Sequence, residues 1–308
     1  VEFVLNQVNK SEIKACFRAM RPYHIAKNFL LFSPLFLGYQ YVNSVALKHI
    51  FLGFLVFCFL ASSAYLINDL LDLENDKQHF RKQKRPFAAG ELPLGVGVIL
   101  APCLSIFALL LAFYLPLNFL IAAISYYLLA LLYSFFIKQK KWLDVILLAV
   151  LYSLRVFAGM AALEEGFSLW LIFSVLFLFF SLALLKRYAE LHTMQLENKV
   201  FLLGRAYQLT DKNKLIVLGH LSGYLSILVF IIYIYSVKVG FFYESPLLLW
   251  LICPCLFIWL KHIWHLAEQG KIRDDPVVFT VTDSYSWIIL ALIIIIALLA
   301  TWAPFSFN

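Results

Sequence analysis

Residues 50–90 read IFLGFLVFCFLASSAYLINDLLDLENDKQHFRKQKRPFAAG. The run Ile50–Ile67 is almost wholly apolar and ends directly at Asn68. At about 100° per residue, Asn68, Asp69, Asp72 and Asp76 fall within an arc of roughly 100° on one helix face. Three carboxylates on one face repel each other when unpaired, and a hard, oxygen-ligated divalent cation such as Mg²⁺ removes that repulsion. Lys77, Arg81, Lys82, Lys84 and Arg85 follow at once and can hold anionic oxygens. Acidic face first and basic loop second suits a metal-bridged diphosphate; a solvated charged loop is the plainer reading. The end of a membrane helix, where ionisable groups are rare and usually functional, favours the former.

Composition sets the class around this stretch. The chain is 63% hydrophobic and 14% charged, with a mean hydropathy of +0.86. A soluble domain of this length has no interior large enough for so much apolar side chain, so the chain is read as an all-α integral membrane protein. The 5 cysteines form no CxxC pair, and all but Cys16 lie in apolar runs, so no disulfide framework is expected. Cys253-Pro254-Cys255 reads as a helix irregularity. No signal-peptide pattern opens the chain. Val1 is not a methionine, and further sequence upstream is expected.

Nine apolar spans follow, most of them near the ~20 residues a bilayer crossing needs. They run about 25–41, 47–67, 94–115, 119–137, 142–163, 167–185, 215–237, 247–266 and 287–302. Residues 1–24 interleave Lys10, Lys14, Arg18 and Arg21 with Ile13, Phe17 and Met20, the pattern of a short basic amphipathic helix on the membrane surface. The chain thus divides into a cytoplasmic segment, 1–24, and a nine-helix membrane domain, 25–308. Of 25 Lys and Arg, 22 fall in the N-terminus and in alternate loops, at 77–85, 138–141, 186–214 and 261–273. The positive-inside rule then predicts a cytoplasmic N-terminus and a C-terminus on the opposite side. The net charge of +7 reflects this topology and an anionic ligand site; no nucleic-acid motif and no soluble second domain is present.

Other candidates lie on the same face. Lys138-Gln139-Lys140-Lys141 follows Tyr133 and precedes Asp144; taken alone it reads more readily as an ordinary positive-inside anchor than as a ligand site. Lys186-Arg187-Tyr188-Ala189-Glu190 opens the third charged loop, where a Lys186–Glu190 helix pair is the plain alternative. Asp274 and Asp275 precede Pro276 and read as a second metal site or, more commonly, as a turn or cap. Arg155 lies 14 residues after Lys141, about 21 Å along a helix. A cation that deep must face the bundle interior, with backbone carbonyls, waters or Tyr hydroxyls as expected partners.

The spacing Asn68-x-x-x-Asp72-x-x-x-Asp76 at the inner end of the second span resembles the signature of the UbiA superfamily of intramembrane prenyltransferases. That resemblance covers nearly the whole chain. It implies nine transmembrane helices around a central lipid-binding cavity, a cytoplasmic active site, and Mg²⁺ held by Asp69, Asp72 and Asp76. Most members carry a second DxxxD motif after span six; here the position reads Lys186-Arg187-Tyr188-Ala189-Glu190.

RPYHIAKN (21–28), YSFFIKQKKWLD (133–144), SLRVFAG (153–159), KRYAEL (186–191) and DDPVVF (274–279) are similar to the decaprenyl-phosphate phosphoribosyltransferase branch. The branch implies transfer of phosphoribosyl from phosphoribosyl diphosphate (PRPP) to a polyprenyl phosphate, releasing diphosphate, toward arabinose donors of the cell envelope. In some relatives the membrane unit follows a soluble hydrolase-like domain. On this reading Lys27, Arg85 and Lys138 are candidates for the lipid phosphate, and Lys186 with Arg187 for the 5-phosphate of PRPP. Asn28, Asn68, Arg81, Lys82, Tyr133, Tyr188 and Glu190 complete the expected substrate contacts. Two alternatives stand beside it: an aromatic prenyltransferase using an isoprenyl diphosphate in quinone or haem precursor synthesis, and a non-catalytic transporter or membrane scaffold.

Overall fold

A computed structural model describes residues 10–37, 43–78, 82–164, 168–196, 206–237, 239–272 and 275–302. Among these the chain is helical, with no strand. A short amphipathic helix, α1 (Lys10–Ala19), buries Ala15 and Ala19 and leaves Ile13 and Phe17 exposed. Arg21 then turns the chain in a left-handed conformation, φ 53°. Pro22–Phe32 follows as a 3₁₀ helix, with α2 (Ser33–Leu37) continuing it. The hairpin α3 (Ser44–Leu71) and α5 (Leu94–Ala112) is joined by α4 (Leu73–Gln78) and the basic loop. Next come α6 (Leu117–Leu132), α7 (Leu143–Ala162), α8 (Leu169–Leu196) and α9 (Lys212–Ile234). The chain closes with α10 (Val239–Phe242), α11 (Ile252–Glu268), α12 (Pro276–Thr280) and α13 (Ser284–Trp302).

Eight helices among the described residues are long and apolar enough to cross a membrane. They correspond to the second through ninth expected spans. The first expected span, 25–41, takes a different form. Its described part is the 3₁₀ helix and α2, and 38–42 lie outside the described residues. Rises of about 2.0 Å per 3₁₀ residue and 1.5 Å per α residue give this segment roughly 30 Å of length. Two helices run longer than their apolar stretches: α3 continues to Leu71, and α8 to Leu196. Lys186–Glu190 therefore lies inside a helix and does not open a loop.

The bundle is held by small residues and serine hydroxyls, the contacts available where lipid is as apolar as the core. Ser174 and Ser226 exchange hydroxyl-to-carbonyl bonds at 3.0 and 2.8 Å between α8 and α9, and Ser181 Oγ donates to the Gly219 carbonyl at 2.7 Å. Ser63 Oγ donates likewise to the Ala101 carbonyl at 2.7 Å, joining α3 to α5. Gly159 sets the position of the 3₁₀ helix. A Cβ there would stand 2.2 Å from the Leu31 carbonyl oxygen, so only glycine lets the 3₁₀ backbone lie against α7.

Candidate active site

The acidic stretch bends between two helices. Asp69 sits in the last turn of α3, Asp72 caps it at φ −92°, and Asp76 stands in α4. The backbone bonds Asp72 N–H to Asn68 O (2.9 Å) and Asp76 N–H to Asp72 O (2.8 Å) carry the helical path across the junction. Arg85 draws Asp69 and Asp76 together while Asp72 pairs separately with Lys138, so each carboxylate is held by a cation from another part of the chain. Arg21 pairs with Asp69. Arg85 Nη1 bridges Asp69 Oδ1 at 3.1 Å and Asp76 Oδ2 at 2.5 Å. Lys138 Nζ donates to Asp72 Oδ1 at 2.5 Å. Gly90, at φ +72°, ends the turn that follows Arg85 and leads toward α5, a conformation that favours glycine.

This group fits a divalent cation. Asp69 Oδ2 is buried with no hydrogen-bond partner. Burial also holds the Asp76 carboxyl above its ordinary value, against the opposing pull of Arg85. A cation satisfies such an oxygen and relieves such a carboxylate. Among the described residues no three His, Cys, Asp or Glu side chains form a metal site by themselves. A bound ion would therefore need further oxygens from its ligand. Lys82 lies close enough to act on Asp76, while Arg81 is outside the described residues.

A second group lies along the 3₁₀ helix. Asp275 Oδ2 accepts from Lys27 Nζ at 2.7 Å, Lys186 Nζ at 2.9 Å and Tyr152 OH at 2.5 Å. Its Oδ1 accepts from the Val277 N–H at 3.2 Å, so Asp275 also caps α12. Of the two readings of Asp275, the cap is the one realised; Asp274 lies outside the described residues. Burial alone would raise the Asp275 carboxyl, and Lys186 and Lys27 outweigh it, leaving it well below the usual carboxylate range. Two lysines share this one acid. Next to it, Arg155 donates to Asn28 Oδ1 (3.0 Å), Leu151 O (2.6 Å) and Tyr126 OH (2.7 Å). These are the carbonyl and Tyr hydroxyl expected from the sequence, joined by Asn28; Asn28 Nδ2 in turn reaches Cys58 Sγ at 3.3 Å.

Lys186 and Arg187 do not act as a pair. Arg187 is fully buried and turns the other way: Nε donates to Asp144 Oδ2 (2.6 Å), Nη1 to Glu190 Oε2 (2.5 Å) and Nη2 to Tyr133 OH (2.8 Å). The anticipated Lys186–Glu190 pair is replaced by Lys186–Asp275 and Arg187–Glu190. Neighbours on an α-helix diverge by about 100°, which forces the separation. Tyr207 extends this network by donating to Asp144 Oδ1 at 2.6 Å and accepting from the Trp142 N–H at 3.0 Å, where Trp142 holds φ 71°. The end of α6 connects the groups. Tyr133–Ile137 forms a π turn closed by Lys138 N–H to Tyr133 O at 3.0 Å, so one turn sends Tyr133 to Arg187 and Lys138 to Asp72. Such turns are frequent at functional sites. Tyr188 points elsewhere, against Trp264 and His192.

Sequence reasoning passed over Arg21 and Tyr152 as ligands of the acids, and Asp144 as the partner of Arg187. RPYHIAKN held a signal for the first, since a buried acid-rich helix end needs cations and Arg21 begins that motif.

Comparisons with known proteins follow the same lines. The profile of the UbiA prenyltransferase family matches residues 29–282. The uncharacterized protein y4nM of Sinorhizobium fredii is 35% identical over 283 residues, 91% of this chain and 55% of that protein. Nodulation protein NoeC of Azorhizobium caulinodans is 29% identical over 274 residues, 87% of each chain. The decaprenyl-phosphate phosphoribosyltransferase of Mycolicibacterium smegmatis is 34% identical over 186 residues, 59% of this chain and 58% of that protein. The matches thus span little more than half the length of y4nM and of the mycobacterial enzyme. Among solved structures, a UbiA homolog from Archaeoglobus fulgidus bound to GPP and Mg²⁺ superposes with a TM-score of 0.70, covering 93% of this chain and 99% of that one at 16% identity. The likeness at that identity is one of fold.

Proposed function

Because this chain belongs to the UbiA prenyltransferase family of multi-pass membrane transferases, we propose that it transfers the 5-phosphoribosyl group of PRPP to a polyprenyl phosphate and releases diphosphate. A lipid phosphate oxygen bonds to ribose C1 as the C1–diphosphate bond breaks, and diphosphate leaves with the electron pair. The nucleophile is already anionic at neutral pH and needs positioning more than a base. Asp69, Asp72 and Asp76 would hold Mg²⁺, which when bound neutralises the departing diphosphate. Arg21, Arg85 and Lys138 hold those carboxylates and can move onto phosphoryl oxygens as charge-assisted donors.

The observation that carries this reading is the second group. Among the described residues Lys27 and Lys186 both pair with the one acid Asp275, and Arg155 beside them bonds neutral partners. That excess of positive charge suits one further phosphate dianion, which PRPP carries at its 5-position and a prenyl diphosphate lacks. Lys27 and Lys186 are the proposed 5-phosphate ligands, with Arg187 as a structural cation. The N-terminus, the charged loops and the active site are proposed to face the cytoplasm of a cell membrane, with the 3₁₀ segment as the ninth crossing. Cysteine labelling of residues 82–85 from the outside alone would overturn that orientation.

A second reading, prenyl transfer from an isoprenyl diphosphate to an aromatic acceptor, is favoured by the solved neighbour bound to GPP and Mg²⁺. It leaves the Lys27–Lys186 group without an anionic occupant. The test is turnover by the purified protein in lipid nanodiscs, given radiolabelled PRPP with and without polyprenyl phosphate. Mg²⁺-dependent labelling of the lipid supports the proposal. Labelling only from isoprenyl diphosphate and an aromatic acid overturns it.

A further inference from the structure

Arg21, His24 and Lys27 recur every three residues, and Pro22–Phe32 is a 3₁₀ helix. A 3₁₀ helix has three residues per turn, so side chains at i and i+3 eclipse, about 6 Å apart along the axis. His24 and Lys27 therefore stack on one face, and Arg21, the left-handed residue that caps the helix and shares the Tyr65 ring with His24, completes a ladder of three. Its first rung, Arg21, reaches Asp69 in the metal-binding group. Its third, Lys27, reaches Asp275 in the lysine group. His24 is the middle rung. Its backbone N–H donates to Arg21 O at 2.9 Å, and its ring lies 5.0 Å from that of Tyr65. Arg21 sits over the same Tyr65 ring at 5.0 Å.

His24 Nδ1 is buried and has no hydrogen-bond partner. A buried polar atom without a partner is costly and rare, and it calls for one outside the protein's own side chains. Arg21 and Lys27 stand three residues to either side of His24, and two flanking cations favour a neutral imidazole. A neutral ring nitrogen accepts a hydrogen bond from a hydroxyl and gives little hold on an anion. The two ends of the ladder handle anions, and its centre handles an uncharged donor group.

We infer that His24 is a specificity-determining residue, whose Nδ1 accepts a hydrogen bond from a ring hydroxyl of a sugar donor phosphorylated at both ends. The inference rests on the donor reading above and adds to it the means by which a sugar is told from a prenyl chain, which offers no hydroxyl to that nitrogen.

The experiment uses the full chain in nanodiscs, with PRPP turnover inhibited by ribose 5-phosphate, 2-deoxyribose 5-phosphate or 3-deoxyribose 5-phosphate. In the wild type, one deoxy analogue is expected to bind about 5- to 10-fold more weakly than ribose 5-phosphate, the worth of one hydrogen bond. His24→Phe should erase that difference and raise the KM for PRPP by a similar factor, leaving the KM for polyprenyl phosphate unchanged. His24→Leu gives the same readout should the Phe variant not fold. His24→Gln, whose amide oxygen accepts, should restore part of the discrimination. A bound water as the only partner predicts unchanged discrimination in the Phe and Leu variants, and that result overturns the inference while PRPP turnover stands. A wild-type protein that neither uses PRPP nor binds ribose 5-phosphate overturns the donor reading, and the inference with it.

Discussion

Arg187→Met separates a structural cation from a substrate ligand. Among the described residues Arg187 is, after Trp264, the largest fully buried side chain. Methionine keeps its length and apolar stem, so the change removes charge and three hydrogen bonds with little lost volume. Asp144, itself 0% exposed, then keeps only the Tyr207 hydroxyl at 2.6 Å. Removing one partner of a buried ion pair costs about 3–5 kcal/mol, because the other charge stays desolvated and unpaired. The Tyr207 bond places the expected loss near the lower end, about 3 kcal/mol. The assay is thermal unfolding of the detergent-solubilised protein, followed by size exclusion, beside KM for both substrates. Arg187→Met/Asp144→Asn removes both charges and should recover a large part of the lost stability. Lys186→Met should behave in the opposite way. Asp275 retains Lys27 and Tyr152 at 2.7 and 2.5 Å, so stability changes less while KM for PRPP rises. An Arg187→Met protein with wild-type thermal stability and a raised KM for PRPP alone would refute the reasoning and make Arg187 a ligand.

Three further outcomes are expected. Asp69→Asn and Asp76→Asn should lose Mg²⁺-dependent turnover while the protein still folds; near-normal activity at limiting Mg²⁺ would remove them as metal ligands. Gly159→Ala places a Cβ 2.2 Å from the Leu31 carbonyl oxygen, and the forced shift of the 3₁₀ helix should cost about 1–3 kcal/mol of stability, seen as a lower unfolding temperature. Asp275 titrates below its ordinary value in the folded protein. Its stabilisation is therefore complete above the unfolded value of about 4 and is lost as pH falls through the folded one. Asp275→Asn should flatten the acid limb of a stability-versus-pH curve, and an unchanged limb would show the carboxylate contributes nothing there.

Local features were legible. Hydropathy and length are properties of contiguous residues, so eight spans could be located from the chain alone, as could the acids at the end of α3. The form of the segment after Pro22 was not, because an apolar run reads the same whether it winds as α or 3₁₀. The close approach of the Leu31 carbonyl to Gly159 belongs to the packing of two distant segments. The same holds for α8, where a lysine and arginine adjacent in sequence invited reading as one cationic patch.

The sequence by itself determined that the chain is a helical membrane protein with a metal-suited acidic face and a basic loop beside it. Those properties arise from composition and from spacing within single helices. Only the tertiary structure decided which cation meets which acid. Lys27 and Asp275 are 248 residues apart, and Arg21 and Asp69 are 48 apart. A charge in a low-dielectric interior is governed by whatever packing brings within a few ångströms of it, and chain separation carries no record of that distance.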